Sequence, residues 1–89
     1  MTYHDLTPGI YFEYSAPGEN YYAGITQVLK IADNSACFTD LVCFSDPEQE
    51  LASEKWYYLE SIDHLLYEPL PTSDLTLAQL QDLFPEHFI

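Results

Sequence analysis

The sequence predicts a mainly β domain of the α+β class. We expect a small curled antiparallel sheet of about five strands, of the SH3-like barrel type, with a short acidic helical turn and a C-terminal helix. Two observations carry this prediction. Tyr21–Phe44 reads as two long strands joined by a turn, and shorter β-type segments flank it on both sides. The 89 residues leave room for a single domain, residues 1–89.

The first half of the chain supplies two strands and a turn. Ile10–Tyr14 alternates as a short strand, and Ser15–Asn20 follows as a turn centred on Pro-Gly. Tyr21–Ala32 is longer than a usual strand, so a bend is expected, and Gly24 is the candidate position for a bulge. Its alternation leaves Val28 out of phase, on the side of the polar residues.

A hairpin turn at Asp33–Ser35 leads into strand three, Ala36–Phe44. Alternation puts Phe38 and Val42 on one side together with Asp40, and both cysteines on the other side. Apolar residues therefore point both ways. Either both faces of the sheet are partly covered, or an aromatic side faces a partner.

The acidic window Ser45–Glu54 favours one or two helical turns. Asp46 is placed as an N-cap, a proline follows it, and Gln49 has capping-box spacing. Lys55–Glu60 then alternates as strand four.

The last third of the chain predicts three further elements. Ser61–Leu65 reads as a short helical turn, and Leu66–Leu70 reads as a final edge strand because prolines stop it. Ser73–Phe84 has the apolar stripe of a helix, and Thr76 and Gln79 have capping-box spacing at its start.

Charge is the unusual property of this chain. Fifteen Asp and Glu face two Lys and no Arg, which gives a formal net charge of −13. A small soluble domain usually carries a net charge of magnitude ~2–8. Direct binding to nucleic acid or to an anionic membrane is disfavoured, because both need Lys and Arg against phosphate. No stretch approaches the length of a membrane span, and no signal peptide is recognised.

Cys37 and Cys43 predict two buried free thiols. Six residues of extended strand would separate them by about 20 Å, which is beyond the reach of a disulfide. Free thiols suit a reducing compartment, so the predicted location is cytoplasmic.

No motif predicts catalysis, a metal or a cofactor. His4, His64 and His87 lack the spacing of a zinc site, and no calcium-binding loop is present. A Cys–His pair that includes His64 is an alternative to its simpler reading as a half-exposed residue on a turn. With so many acids, some carboxylate pair lies at catalytic distance by chance. The prediction is therefore a protein that is not an enzyme.

Aromatic residues interleaved with acids predict a protein interface. Tyr and Trp are frequent interface anchors, although the same rings also fill small cores. The candidate partner-binding residues are Asp46, Glu48, Glu50, Glu54, Trp56, Tyr58, Glu60 and Asp63.

The leading functional hypothesis is an acidic inhibitor that mimics nucleic acid and blocks a basic nucleic-acid-binding protein, as a monomer or homodimer. A groove rich in Lys and Arg attracts carboxylates as it attracts phosphates. In size and charge the chain resembles small DNA-mimic proteins: anti-restriction proteins, anti-CRISPR proteins and uracil-DNA glycosylase inhibitors. The alternatives are an immunity protein that neutralises a cognate toxin, and an SH3-like adaptor domain in a cellular assembly.

Overall fold

The computed structural model describes residues 6–15, 22–51 and 53–85. These residues form a mainly β domain with one short C-terminal helix, as predicted; the predicted turn Ser15–Asn20 lies largely outside them. The elements, in chain order, are β1 (Gly9–Ser15), β2 (Ala23–Ile31), β3 (Ser35–Cys43), β4 (Lys55–Tyr58), a 3-10 turn (Leu59–Ile62), β5 (Leu65–Pro69) and α1 (Leu77–Leu83).

The five strands form one antiparallel sheet in the order β4-β3-β2-β1-β5. The two shortest strands, β4 and β5, lie at its edges. Among the described residues β4 pairs only with β3, and β5 pairs only with β1. The sheet is therefore open, and the predicted closure into an SH3-like barrel is not confirmed.

The connection between the two edge strands shows how strongly the sheet curls. We call Leu59–His64 the connector. It leaves β4 at the level of Ala32, which follows β2, and it enters β5 at the level of Tyr22, which precedes β2 and lies ten residues from Ala32. In a flat sheet the end of β4 and the start of β5 would be about 33 Å apart along the strands and about 19 Å apart across them. The connector's seven Cα–Cα steps span at most about 25 Å, so the sheet must curl, and the connector crosses its concave face.

A register shift in β2 follows a buried pair on the concave face. Pairing with β3 jumps between Val28 and Lys30, and Leu29 is the extra residue. Val28 pairs with Phe38, and both are buried. The alternation placed Val28 on the same side as Thr26, and the structure shows that this side is a buried face, because both residues are buried.

A second shift, in β3, exchanges the faces of its last residues. Leu41 is the extra residue here, since Ile25 pairs with Val42 while the next residue of β2 pairs with Asp40. Leu41 and Val42 both pack on the convex side. Regular alternation predicted Val42 on the side of Asp40, and this is wrong because the bulge reverses the phase.

Gly24 is not the bulged residue that the sequence suggested. A Cβ atom on Gly24 would lie 2.7 Å from the carbonyl oxygen of Val42, closer than real Cβ contacts. The glycine permits close approach of two backbones beside the bulge in β3.

Both faces of the sheet are covered, which is one of the two arrangements that the sequence left open. The connector covers the concave core with Ile62, and α1 covers the convex core with Leu80. Phe84 stacks on Phe12 with ring centroids 5.8 Å apart. The buried concave residues are Leu6, Tyr11, Val28, Ala36, Phe38, Ile62 and Tyr67. The buried convex residues are Phe12, Tyr14, Ala23, Ile25, Leu70 and Leu80.

The predicted capping box of α1 is confirmed. The Thr76 hydroxyl accepts from the Gln79 backbone N–H, and the Gln79 side chain accepts from the Thr76 N–H. The helix is shorter than predicted. Neither α1 nor any other helix in the described part of the chain is long and apolar enough to cross a membrane.

The described residues of the acidic window, 45–51 and 53–54, contain no helix. Asp46 accepts from the Glu48 backbone N–H, and its carbonyl closes a single turn with Gln49. The predicted helical turns are wrong because the Gln49 side chain accepts a hydrogen bond from Cys43 Sγ instead of closing a capping box.

Removing the Leu80 side chain should destabilise the fold by leaving a cavity in the convex core. Leu80 is fully buried, so Leu80→Ala should lower the free energy of unfolding by about 2–5 kcal/mol. Leu83 lies in the same helix but is 55% exposed, and Leu83→Ala should change it by less than about 0.5 kcal/mol. Urea denaturation of both variants measures the difference. Equal losses would show that α1 does not pack on the sheet through Leu80.

Candidate ligand pocket on the concave face

A cavity of about 580 Å³ opens between the sheet and the connector. This volume lies within the range of small-molecule pockets, ~300–1,000 Å³. The connector forms one wall with Ser61, Ile62 and His64, and Phe38 and Tyr57 line the cavity from β3 and β4. The curl of the sheet therefore creates the space, and the short connector encloses it.

The Glu13 carboxyl group lies at the base of this cavity, which we call the Glu13 pocket. Glu13 is only 7% exposed. The Tyr67 hydroxyl donates to its Oε2 atom at 2.7 Å, and the Tyr22 hydroxyl also hydrogen-bonds to the carboxyl group. Glu13 and Tyr67 are directly opposite each other on β1 and β5, so this bond joins an edge strand to its neighbour.

Gly24 keeps the space that the Tyr22 hydroxyl occupies. Gly24 lies opposite Glu13 on β2. A Cβ atom on Gly24 would lie 3.4 Å from the Tyr22 hydroxyl oxygen, in addition to its clash with Val42. The position without a side chain thus leaves room for a hydroxyl that bonds to the buried carboxyl group.

Burial dominates the electrostatics of the pocket. It raises the pKa of Glu13 from the usual 4.5 to about 7, the hydrogen bond from Tyr67 opposes this, and the charge of Asp40 adds to it. Burial, and next the Glu13 charge, also raise the pKa of Tyr67 and of Tyr22 well above the usual range. Both hydroxyls therefore keep their protons and remain donors to the carboxylate.

Asp40 is the second carboxyl group of the pocket. It is half-buried on β3, and the hydroxyl of the buried Thr26 donates to its Oδ1 atom at 3.2 Å. Two carboxyl groups between aromatic walls can hold a proton, a hydrogen-bond donor or a cation. The described residues include no group of three or more His, Cys, Asp or Glu side chains arranged to hold a metal ion.

All eight residues predicted to bind a partner are exposed, and none of them lines the Glu13 pocket. They come from the β3–β4 loop, from β4 and from the connector, and we call them the acidic edge. Trp56 and Tyr58 are 50% and 69% exposed, while Tyr57 between them points into the pocket. The acidic edge comprises Asp46, Glu48, Glu50, Glu54, Trp56, Tyr58, Glu60 and Asp63.

The other titratable candidates have mixed outcomes. Cys37 and Cys43 are buried free thiols, as predicted. His64 is exposed at the end of the connector, where it lines the pocket, while His4 and His87 lie outside the described residues.

Sequence reasoning missed Glu13 and Asp40 as site residues. Their signal was present, because each acid is in phase with an aromatic residue on a central strand: Glu13 with Tyr11, and Asp40 with Phe38. In a strand, an acid two residues from a buried ring points to the same face as that ring. Such an acid therefore lies on a buried face, where it needs hydrogen-bonding partners.

A comparison of the chain with protein-family models, with curated proteins and with solved structures found no match.

The raised pKa of Glu13 predicts a measurable pH dependence of stability. Below pH 4.5 the carboxyl group is protonated in both the folded and the unfolded state, so its stabilising contribution to the free energy of unfolding is fully present. As the pH rises to about 7 only the folded state holds the proton, and the contribution is lost, by about 3 kcal/mol in total.

Glu13→Gln should remove this dependence. The free energy of unfolding of the variant, relative to wild type, should increase by about 3 kcal/mol between pH 4.5 and pH 8. Urea denaturation of the two proteins at several pH values measures the difference in the free energy of unfolding. The contributions of the other carboxyl groups, which both proteins share, cancel in this difference. A constant difference would mean that Glu13 titrates as an exposed acid.

Proposed function

We propose that the protein is an acidic inhibitor that binds a basic nucleic-acid-binding protein in place of nucleic acid, as anti-CRISPR or anti-restriction proteins do. The acidic edge is the proposed contact surface. One observation carries the proposal: two large aromatic side chains, Trp56 and Tyr58, are exposed on an edge strand amid six exposed acids.

The distribution of charge supports the acidic edge over the rest of the surface. Twelve of the fifteen acids fall in the described residues, and six of these twelve lie between Asp46 and Asp63. Lys55 is the single basic residue in that span. A cationic groove would be attracted to this segment, and its binding would be sensitive to salt.

The exposed rings supply apolar surface that can be buried against a partner, which charge alone does not supply. Trp56 and Tyr58 pair with Cys37 and Ser35 of β3, and they are half or more exposed. Exposed Trp and Tyr are frequent binding hot spots, because their burial contributes affinity while charged rims steer the encounter. The acidic edge combines both features on one segment.

An SH3-like adaptor domain is the second candidate. The strand order, with a 3-10 turn leading from β4 back to β5 beside β1, and the aromatic walls of the Glu13 pocket favour it. In this case a peptide would bind and the acids would serve solubility only. Neutralising them would then leave binding intact.

Capture of the partner tests the proposed inhibitor. Immobilised protein is incubated with lysate of its source cells, and bound proteins are eluted with duplex DNA or with salt raised from about 50 to 200 mM. We expect a nucleic-acid-binding protein that duplex DNA displaces. A specific partner whose binding is independent of salt and of duplex DNA would contradict the proposal.

Two charge-matched variants locate the surface. The triple variant Glu48→Gln, Glu50→Gln, Glu60→Gln should weaken binding of the purified partner by at least about tenfold, because it removes carboxylates from the acidic edge. The control Asp33→Asn, Asp74→Asn, Asp82→Asn removes the same charge from other exposed positions and should have a much smaller effect. Isothermal titration calorimetry measures both. Equal losses would indicate that only net charge matters.

A further inference from the structure

We propose that the Glu13 pocket receives the guanidinium group of an arginine side chain that the bound partner presents. The inference rests on the proposed function for the source of the arginine. It adds a specific anchor site to a surface otherwise defined by charge and two exposed rings.

The carboxyl groups of the pocket favour a cation. Glu13 and Asp40 both line the cavity, and neither of the chain's two lysines does. The charge of Asp40 disfavours ionisation of Glu13, so an entering cation would stabilise both carboxylates. A neutral occupant would leave this repulsion in place.

The hydrogen-bonding capacity of Glu13 is not exhausted by its tyrosine partners. An ionised carboxylate has about four acceptor sites, and two tyrosine hydroxyls donate to this one. These bonds fix the carboxylate at the base of the cavity, and they leave acceptor sites for the N–H groups of a guanidinium.

The walls of the pocket suit a flat, weakly hydrated cation. Phe38 and Tyr57 line the cavity, with ring centroids 5.8 Å apart and nearly perpendicular planes. The Lys55 Nζ atom already lies 5.2 Å from the centre of the Tyr57 ring, although Lys55 is exposed and lies outside the cavity. Arginine fits such sites better than lysine, because its planar group stacks on rings and loses less hydration.

The position of the pocket connects it to the acidic edge. Gln49, Tyr57, Ser61 and His64 line the cavity, and they alternate along the chain with residues of the edge. A partner seated on the edge would lie close to the pocket mouth. One basic surface can therefore engage the exposed carboxylates and insert a side chain into the cavity.

A free probe tests the pocket without any partner. N-acetyl-arginine amide is titrated into the labelled protein at pH 8, where Glu13 is ionised, and NMR shifts are followed. We expect shifts at Tyr57, Ser61 and His64, and none with the neutral probe N-acetyl-norleucine amide. Glu13→Gln and Asp40→Asn should each weaken binding about tenfold or more, whereas Asp33→Asn should not. Absence of binding, or unchanged binding by both pocket variants when folded, would overturn the inference.

Binding of the captured partner tests the source of the cation. Glu13→Gln and Asp40→Asn should weaken it about tenfold at pH 8, and substituting the partner's critical arginine should abolish the effect of either variant. If the edge variants weaken the complex and the pocket variants do not, the pocket inference fails while the proposed function stands. If neither set affects the complex, both fail.

Discussion

A carboxyl group buried in the middle of a strongly acidic protein is the constraint on which the rest of this structure depends. Glu13 lies at the base of the concave face in a chain of net charge −13, where burial and neighbouring charge both oppose ionisation. Tyr67 and Tyr22 reduce this cost by donating hydrogen bonds. The bond to Tyr67 also ties edge strand β5 to β1, which holds the far end of the connector in place.

The curl of the sheet and the acidic edge arise from the same stretch of chain. The connector is too short to join the end of β4 to the start of β5 in a flat sheet, so the sheet must curl. The curl creates the cavity, and the connector covers the cavity. Side chains in this region then divide in two directions. Tyr57 and Ser61 face the cavity, while Trp56, Tyr58 and Glu60 face outward. Binding at the surface and binding in the pocket are thereby placed within reach of one partner.

Local patterns predicted the elements well and their faces less well. The hairpin at Asp33, the strands and the capping box at Thr76 depend on neighbouring residues, which the sequence displays directly. The bulges at Leu29 and Leu41 depend on how two strands pair, and no single strand shows this. Each bulge changes which residues share a face with which others.

The candidate site could likewise be predicted from the sequence where it depends on local pattern, and not where it depends on strand pairing. Exposure of the acidic edge was expected from charge, because runs of carboxylates stay in water. The pocket needed residues distant in sequence, since Glu13 meets Tyr67 only when β5 returns beside β1. The Gln49 side chain was expected to take part in a helix cap, but it accepts a hydrogen bond from Cys43 Sγ at the rim of the pocket. The β3 bulge allows this contact.

The central claim is that Glu13 is buried on the concave face and held there by tyrosines. Carbon-13 NMR of the Glu13 side-chain carboxyl group, followed through a pH titration of the wild-type protein, measures this most directly. The account predicts a pKa of about 7 for Glu13. A midpoint near the usual 4.5 would show a solvated carboxylate, and it would contradict both the buried site and the curl of the sheet that creates it.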